Sequence, residues 1–191
     1  MSKRFASLAA AAVLALAATA SAPLYAQMSE KTVTVGGAPM YPSKNIIQNA
    51  VNSKDHTTLV AAVKAAGLVD TLSGPGPFTV FAPTNAAFAK LPAGTVDTLL
   101  KPENKATLTK VLTYHVVAGR MTALQLMKAV KDGEGLAKLK TVEGDDLIVK
   151  QAGPGKLTIT DAKGDVAMVT IADVLQSNGV IHVIDTVLLP M

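Results

Sequence analysis

After Gly135 the hydrophobic period of this chain changes from that of a helix to that of a strand. Upstream, apolar residues recur at helical spacing: Leu59, Val63 and Ala66, then Leu108, Val111 and Leu112, then Ala123, Leu126, Met127 and Val130. Downstream they alternate with polar residues, as Leu157 and Ile159 do between Lys156, Thr158 and Thr160. Glu143-Gly144-Asp145, Gly153-Pro154-Gly155 and Lys163-Gly164-Asp165 interrupt these runs at hairpin distances. Helices that mostly precede an antiparallel meander make an α+β layout, not alternating βαβ units.

Local signals place the element ends. Ser43 is expected to cap a first helix carrying Ile46, Ile47 and Ala50. Asp55 is expected to cap a second, which Gly67 ends. Phe78 to Ala82 reads as a buried strand stopped by Pro83, with Thr84 capping a short helix through Phe88. Pro102 and Glu103 open another helix, and Thr122 to Gln125 is a capping box for the next. Val166 to Ile171 and Val180 to Leu189 read as the last strands.

The first 26 residues have the form of a signal peptide: Lys3 and Arg4, an Ala/Leu/Val run to Ala18, then small residues with cleavage expected after Ala26. That run is too short to be a good membrane span, so no span is expected once it is cleaved. Residues 27–42, with Gly36-Gly37, Pro39 and Pro42, read as a flexible lead-in, and 43–191 as one domain. Export leaves 16 basic and 14 acidic residues, scattered singly, so a nucleic-acid partner is not expected. Cysteine is absent, which excludes thiolate catalysis and zinc–cysteine sites. Together these point to a secreted or periplasmic bacterial protein, with association to the cell surface as a further expectation.

Three segments carry a family resemblance. Phe78-Thr79-Val80-Phe81-Ala82-Pro83-Thr84-Asn85-Ala86-Ala87-Phe88 resembles the first box of fasciclin-like domains. Leu112-Thr113-Tyr114-His115-Val116-Val117 resembles their central Tyr-His motif, and Asn178 to Asp185, continued by Leu188-Leu189-Pro190, resembles their second box. The resemblance implies a wedge of two small β-sheets flanked by α-helices. It also implies a non-catalytic adhesion role, with cell-surface protein, matrix protein or polysaccharide as partner. The sequence departs from the family at Asn85, often Asp, and at Ala118, commonly Pro. The first removes a charge and the second loosens a turn.

The residues themselves offer little catalytic chemistry. There is no Gly-X-Ser-X-Gly elbow and no Ser-X-X-Lys, and Gly74-Pro75-Gly76-Pro77 lacks the N–H groups of a phosphate loop. No cofactor is expected. His56, His115 and His182 lack the close spacing of a metal motif, so no metal is expected either. His56 is expected to be solvated, and the other two to be half-buried with backbone partners. Asp145-Asp146 and Lys163-Gly164-Asp165 read as turn tips. Thr84 and Asn85 are expected to organise a strand-to-helix corner, and Asp185 to bond nearby backbone. Tyr114 and His115 are either structural or, by the resemblance, part of a contact surface; with Thr84, Asn85, His182 and Asp185 they are the candidate interaction residues. The expected function is an exported adhesion module whose weak contacts, self-association among them, gain strength from multivalency. The alternative is a periplasmic carrier holding a lipid or metabolite in an apolar cleft between sheet and helices.

Overall fold

The computed structural model describes residues 32–191; the expected signal peptide and cleavage site lie outside the described residues. The chain opens with a hairpin, β1 (Val33–Val35) and β2 (Ala38–Met40). Helices α1 (Ile46–Ala50), α2 (Thr57–Ala66) and α3 (Val69–Ser73) follow. Next come β3 (Phe78–Pro83), α4 (Asn85–Ala89), α5 (Thr95–Leu99), α6 (Lys105–Tyr114), β4 (Val116–Ala118) and α7 (Ala123–Asp132). The meander is β5 (Leu136–Lys140), β6 (Asp146–Gly153), β7 (Lys156–Thr160), β8 (Val166–Gln176) and β9 (Gly179–Ile184). The α+β class read from the hydrophobic periods is the observed one.

The strand order is β4-β3-β9-β8-β7-β6-β5. Its two halves meet in β8, which is 11 residues long. The first residues of β8 pair with β7, and those from Val169 onward pair with β9. The outer strands approach each other at a single bridge between Val117 and Thr141. Strands β3 and β9 run parallel, Phe78 beside Gly179 and Pro83 beside Ile184. Both are buried on both faces, which is why neither sequence alternates. Gly179 is required here, because a Cβ would collide with the Phe78 carbonyl.

These strands separate two apolar cores. One face packs Val80, Ala82, Ile181 and Val183 against Leu59 and Val63 of α2 and Leu108, Val111 and Leu112 of α6. The other joins Phe81, Tyr114 and Ile184 to Leu126 and Val130 of α7 and to Leu139, Leu147, Val149, Leu157 and Ile159 of the meander.

Four expectations need correction. Residues 33–40 are not a loose lead-in: Val35 and Met40 are buried in the first core with Ile46 and Leu59. Burying two such side chains stabilises the docked hairpin by roughly 3–5 kcal/mol before ordering entropy. The cap of α1 is Asn45, not Ser43; its side chain accepts the Gln48 N–H while the Gln48 side chain accepts its own, a capping box. Asp55 does not cap α2 but lies in a 3₁₀ turn, Lys54–His56, that leads into it. The last strand stops at Ile184 rather than Leu189, and beyond it the tail is held by side chains of earlier elements: Leu188 N–H goes to His115 and Leu189 N–H to Asp161.

Candidate functional site

Helix α6 ends at Tyr114, and His115 is its C-cap, where the chain turns into β4. The Tyr114 side chain is fully buried. Its hydroxyl donates to the Asp146 carbonyl at 3.2 Å and accepts the Ala162 N–H at 2.9 Å. Burial pushes the Tyr114 phenol up to about 12. His115 is buried as well, and both ring nitrogens are used. Nδ1–H donates to the Val111 carbonyl at 2.8 Å, which leaves Nε2 to accept the Leu188 N–H at 3.0 Å. Burial pulls the His115 imidazole down to about 4, against a weaker opposing effect of the Val111 carbonyl and Asp161. Its own carbonyl accepts the Phe81 N–H at 2.9 Å.

His182 lies in the middle of β9 with no exposure. Its ring stacks on Phe81 with centroids 5.7 Å apart. Nε2–H donates to the Met121 carbonyl at 2.8 Å, and Nδ1 receives a longer contact from the Asp173 N–H at 3.4 Å. Burial lowers its pKa; the Met121 carbonyl and Asp173 oppose this. Phe81 thus joins the two histidines: its backbone bonds one and its ring stacks on the other. Neither is half-buried, as the sequence had suggested; both are enclosed.

The remaining candidates form a corner that reaches solvent. Thr84 caps α4 by accepting the Ala87 N–H at 3.2 Å. Asn85 spans to the start of α2: its carbonyl oxygen accepts the Thr58 N–H at 3.0 Å, and its amide donates to the Lys54 carbonyl at 2.9 Å. This is the position where the family often carries Asp; an amide can donate to Lys54 O, and a carboxylate cannot. Asp185 accepts the Met168 N–H at 2.8 Å and the Thr186 hydroxyl at 3.1 Å, and pairs with Lys90 at 3.4 Å. Desolvation raises its pKa, but the Met168 and Thr186 donors and Lys90 outweigh it and hold it low. The structure therefore separates the six residues into an enclosed set (Tyr114, His115, His182) and an accessible set (Thr84, Asn85, Asp185).

His56, expected in solvent, is 3% exposed. Nδ1 is 2.8 Å from Ser53 Oγ, and Nε2 has no hydrogen-bond partner. An unmade bond of this kind costs about 1–3 kcal/mol. Burial lowers the His56 pKa; the Ala82 backbone, which falls short of bonding geometry, and Asp55 act the other way. Sequence reading also missed Asp161, a buried carboxylate that accepts Lys163 N–H and Asp165 N–H at 2.9 Å each and Leu189 N–H at 2.8 Å. The signal was present: an Asp two residues before Lys163-Gly164 is the pattern of an Asx turn. Among the described residues no group of three His, Cys, Asp or Glu is placed to hold a metal. The apolar space between helices and sheet is a cavity of about 50 Å³, far below what a lipid needs.

The sequence model of the family described as Fasciclin domain matches residues 54–190. Protein sll1483 of Synechocystis sp. is 49% identical over 164 residues, covering 86% of this chain and 83% of that protein. Immunogenic protein MPB70 of Mycobacterium bovis is 38% identical, over 74% of this chain and 66% of its own. The fold is shared with a FAS1 domain pair from the insect cell adhesion molecule fasciclin I, at a TM-score of 0.69 and 22% identity, over 78% of this chain and 52% of that one. With all three motif segments inside the matched region, this chain belongs to the fasciclin-domain family.

Proposed function

We propose that this protein is an exported, non-catalytic adhesion module that contacts a cell-surface or matrix protein or polysaccharide through its accessible corner. The family match over residues 54–190 carries this reading. Named relatives support it: a cell surface glycolipoprotein, MPB83, is 37% identical over 146 residues, and a transforming growth factor-beta-induced protein, ig-h3, is 40% identical over 137. The corner offers Thr84, Asn85, Lys90, Asp185 and Thr186, a mixed donor and acceptor set suited to a hydroxyl-rich or peptide partner. Tyr114, His115 and His182 act here as the internal framework of that corner, because side chains without exposure touch no partner.

The test is binding of the protein, from Gln27 onward, to whole cells and to isolated envelope polysaccharide of its source. Asp185→Ala with Lys90→Ala should weaken binding at least several-fold while circular dichroism stays unchanged. Tyr114→Phe, still folded, should bind as the parent does. Binding that tracks Tyr114 but ignores the corner would reverse the assignment. No binding to any surface component would end the adhesive reading.

A further inference from the structure

We propose that the cavity behind the β1–β2 hairpin is a binding site for a small neutral aliphatic alcohol, its hydroxyl on His56 Nε2 and its carbons against Ile46, Leu59 and Val63. Four features lead to this assignment.

The first is the unpaired nitrogen. Among the described residues, His56 Nε2 is the one buried side-chain nitrogen or oxygen without a partner. The His56 ring is part of the cavity wall, with Ser53 and His115. His115 has both nitrogens engaged, and Ser53 Oγ already faces His56 Nδ1. Binding capacity therefore remains at His56 alone.

The second is the lining. Apart from those groups and Lys64, the wall is aliphatic and aromatic: Ile46, Leu59, Val63, Leu72 and Val80 among others. Among the side chains of the wall only His56 Nε2 is left to a guest, fewer than the two to four polar partners that hold a buried water. A charged head group would lose its hydration inside a wall whose one charged residue, Lys64, is exposed to solvent. A neutral molecule with one polar group and a carbon tail meets neither penalty.

The third is the choice of polar group. The contact with Ser53 allows two tautomers, so Nε2 is a donor in one and an acceptor in the other. A hydroxyl complements both; a carbonyl or an ether complements one.

The fourth is size. The cavity is about 50 Å³, a third of the roughly 150 Å³ that admits benzene. Only a few heavy atoms fit, and this sets the site apart from a carrier of lipids. Ile47, Val60 and Val69, at the helix side of the wall, are part-exposed.

The experiment is NMR on the isotope-labelled protein with 1-propanol, propionate and xenon as probes. Propanol should give saturable Overhauser contacts to the methyls of Ile46, Leu59 and Val63 and move the His56 Nε2 resonance. Xenon should reach the same methyls without moving that resonance, and propionate should do neither. His56→Leu should weaken propanol about five-fold, one hydrogen bond's worth, and leave xenon unchanged. If that variant does not fold, the contrast between propanol and xenon at Nε2 in the parent protein still decides. Contacts from water alone, no saturation by propanol, or equal effects of propanol and propionate would overturn the proposal.

Discussion

The Nε2 of His115 accepts the backbone N–H of Leu188 at 3.0 Å, so the corner after α6 holds the segment that leaves β9. The two residues are 73 positions apart. One ring thereby joins the middle of the chain to its end, and the central motif to the second box.

Replacing that ring should be costly. His115→Leu leaves the Val111 carbonyl and the Leu188 N–H without their partner in a closed site. Two such losses predict a destabilisation of about 2–4 kcal/mol, measured by urea unfolding. A change below about 0.5 kcal/mol would mean that water enters and replaces the ring.

The same ring predicts a pH dependence. Its folded pKa, about 4, lies below the ordinary 6.5, so the unfolded chain takes up the proton first. The contribution to stability is complete above pH 6.5, is lost as pH falls from 6.5 to about 4, and is constant below that. The span corresponds to about 3 kcal/mol at about 1.4 kcal/mol per unit. His56 and His182, whose pKa values are also lowered, add in the same direction. Unfolding free energies measured at intervals from pH 7.5 to 4 should show the decline, and His115→Gln should flatten it.

Asp161 is the second tether of the tail. Asp161→Ala removes the acceptor of three backbone N–H groups, two in the β7–β8 turn and one at Leu189. A loss of about 2–4 kcal/mol is predicted. Hydrogen exchange should quicken at Lys163, Asp165 and Leu189 before it does in β3. Uniform protection across these sites would show that the tail is held by packing alone.

Gly36 controls the docking of the hairpin. It has φ +58, its carbonyl accepts the Lys54 N–H at 3.2 Å, and a Cβ there would press on Ser53 to Asp55. Gly36→Val should release β1–β2 and cost about 2 kcal/mol or more. Gly37→Ala, at a position open to solvent, should cost about 1 kcal/mol from its positive φ alone. Equal effects of the two would indicate an undocked hairpin.

The regular elements were legible because their signals are local. Thr84, Gly67 and the Thr122–Gln125 box sit where propensity alone would put them, and each has the expected geometry. The three-box resemblance supplied the architecture around them. What stayed hidden depends on partners distant in sequence. Val35 and Met40 are too few to announce a docked hairpin, since their burial is decided by Ile46 and Leu59. The enclosure of His56 arises from the same packing. Asp173, with φ +56, takes a conformation that no local pattern marks; its carboxylate accepts the Ala123 N–H at 2.7 Å at the start of α7.

The parallel pairing of β3 with β9 brings together segments about 100 residues apart, with α4 to α7 and β4 to β8 lying between them. The domain is in this sense a clasp whose two jaws, β3 and β9, close on each other across all the elements between them. A single backbone cut at the exposed turn Gly153–Gly155 falls inside the clasp and leaves both jaws in place. The nicked fragments should stay associated under native conditions and part only in denaturant.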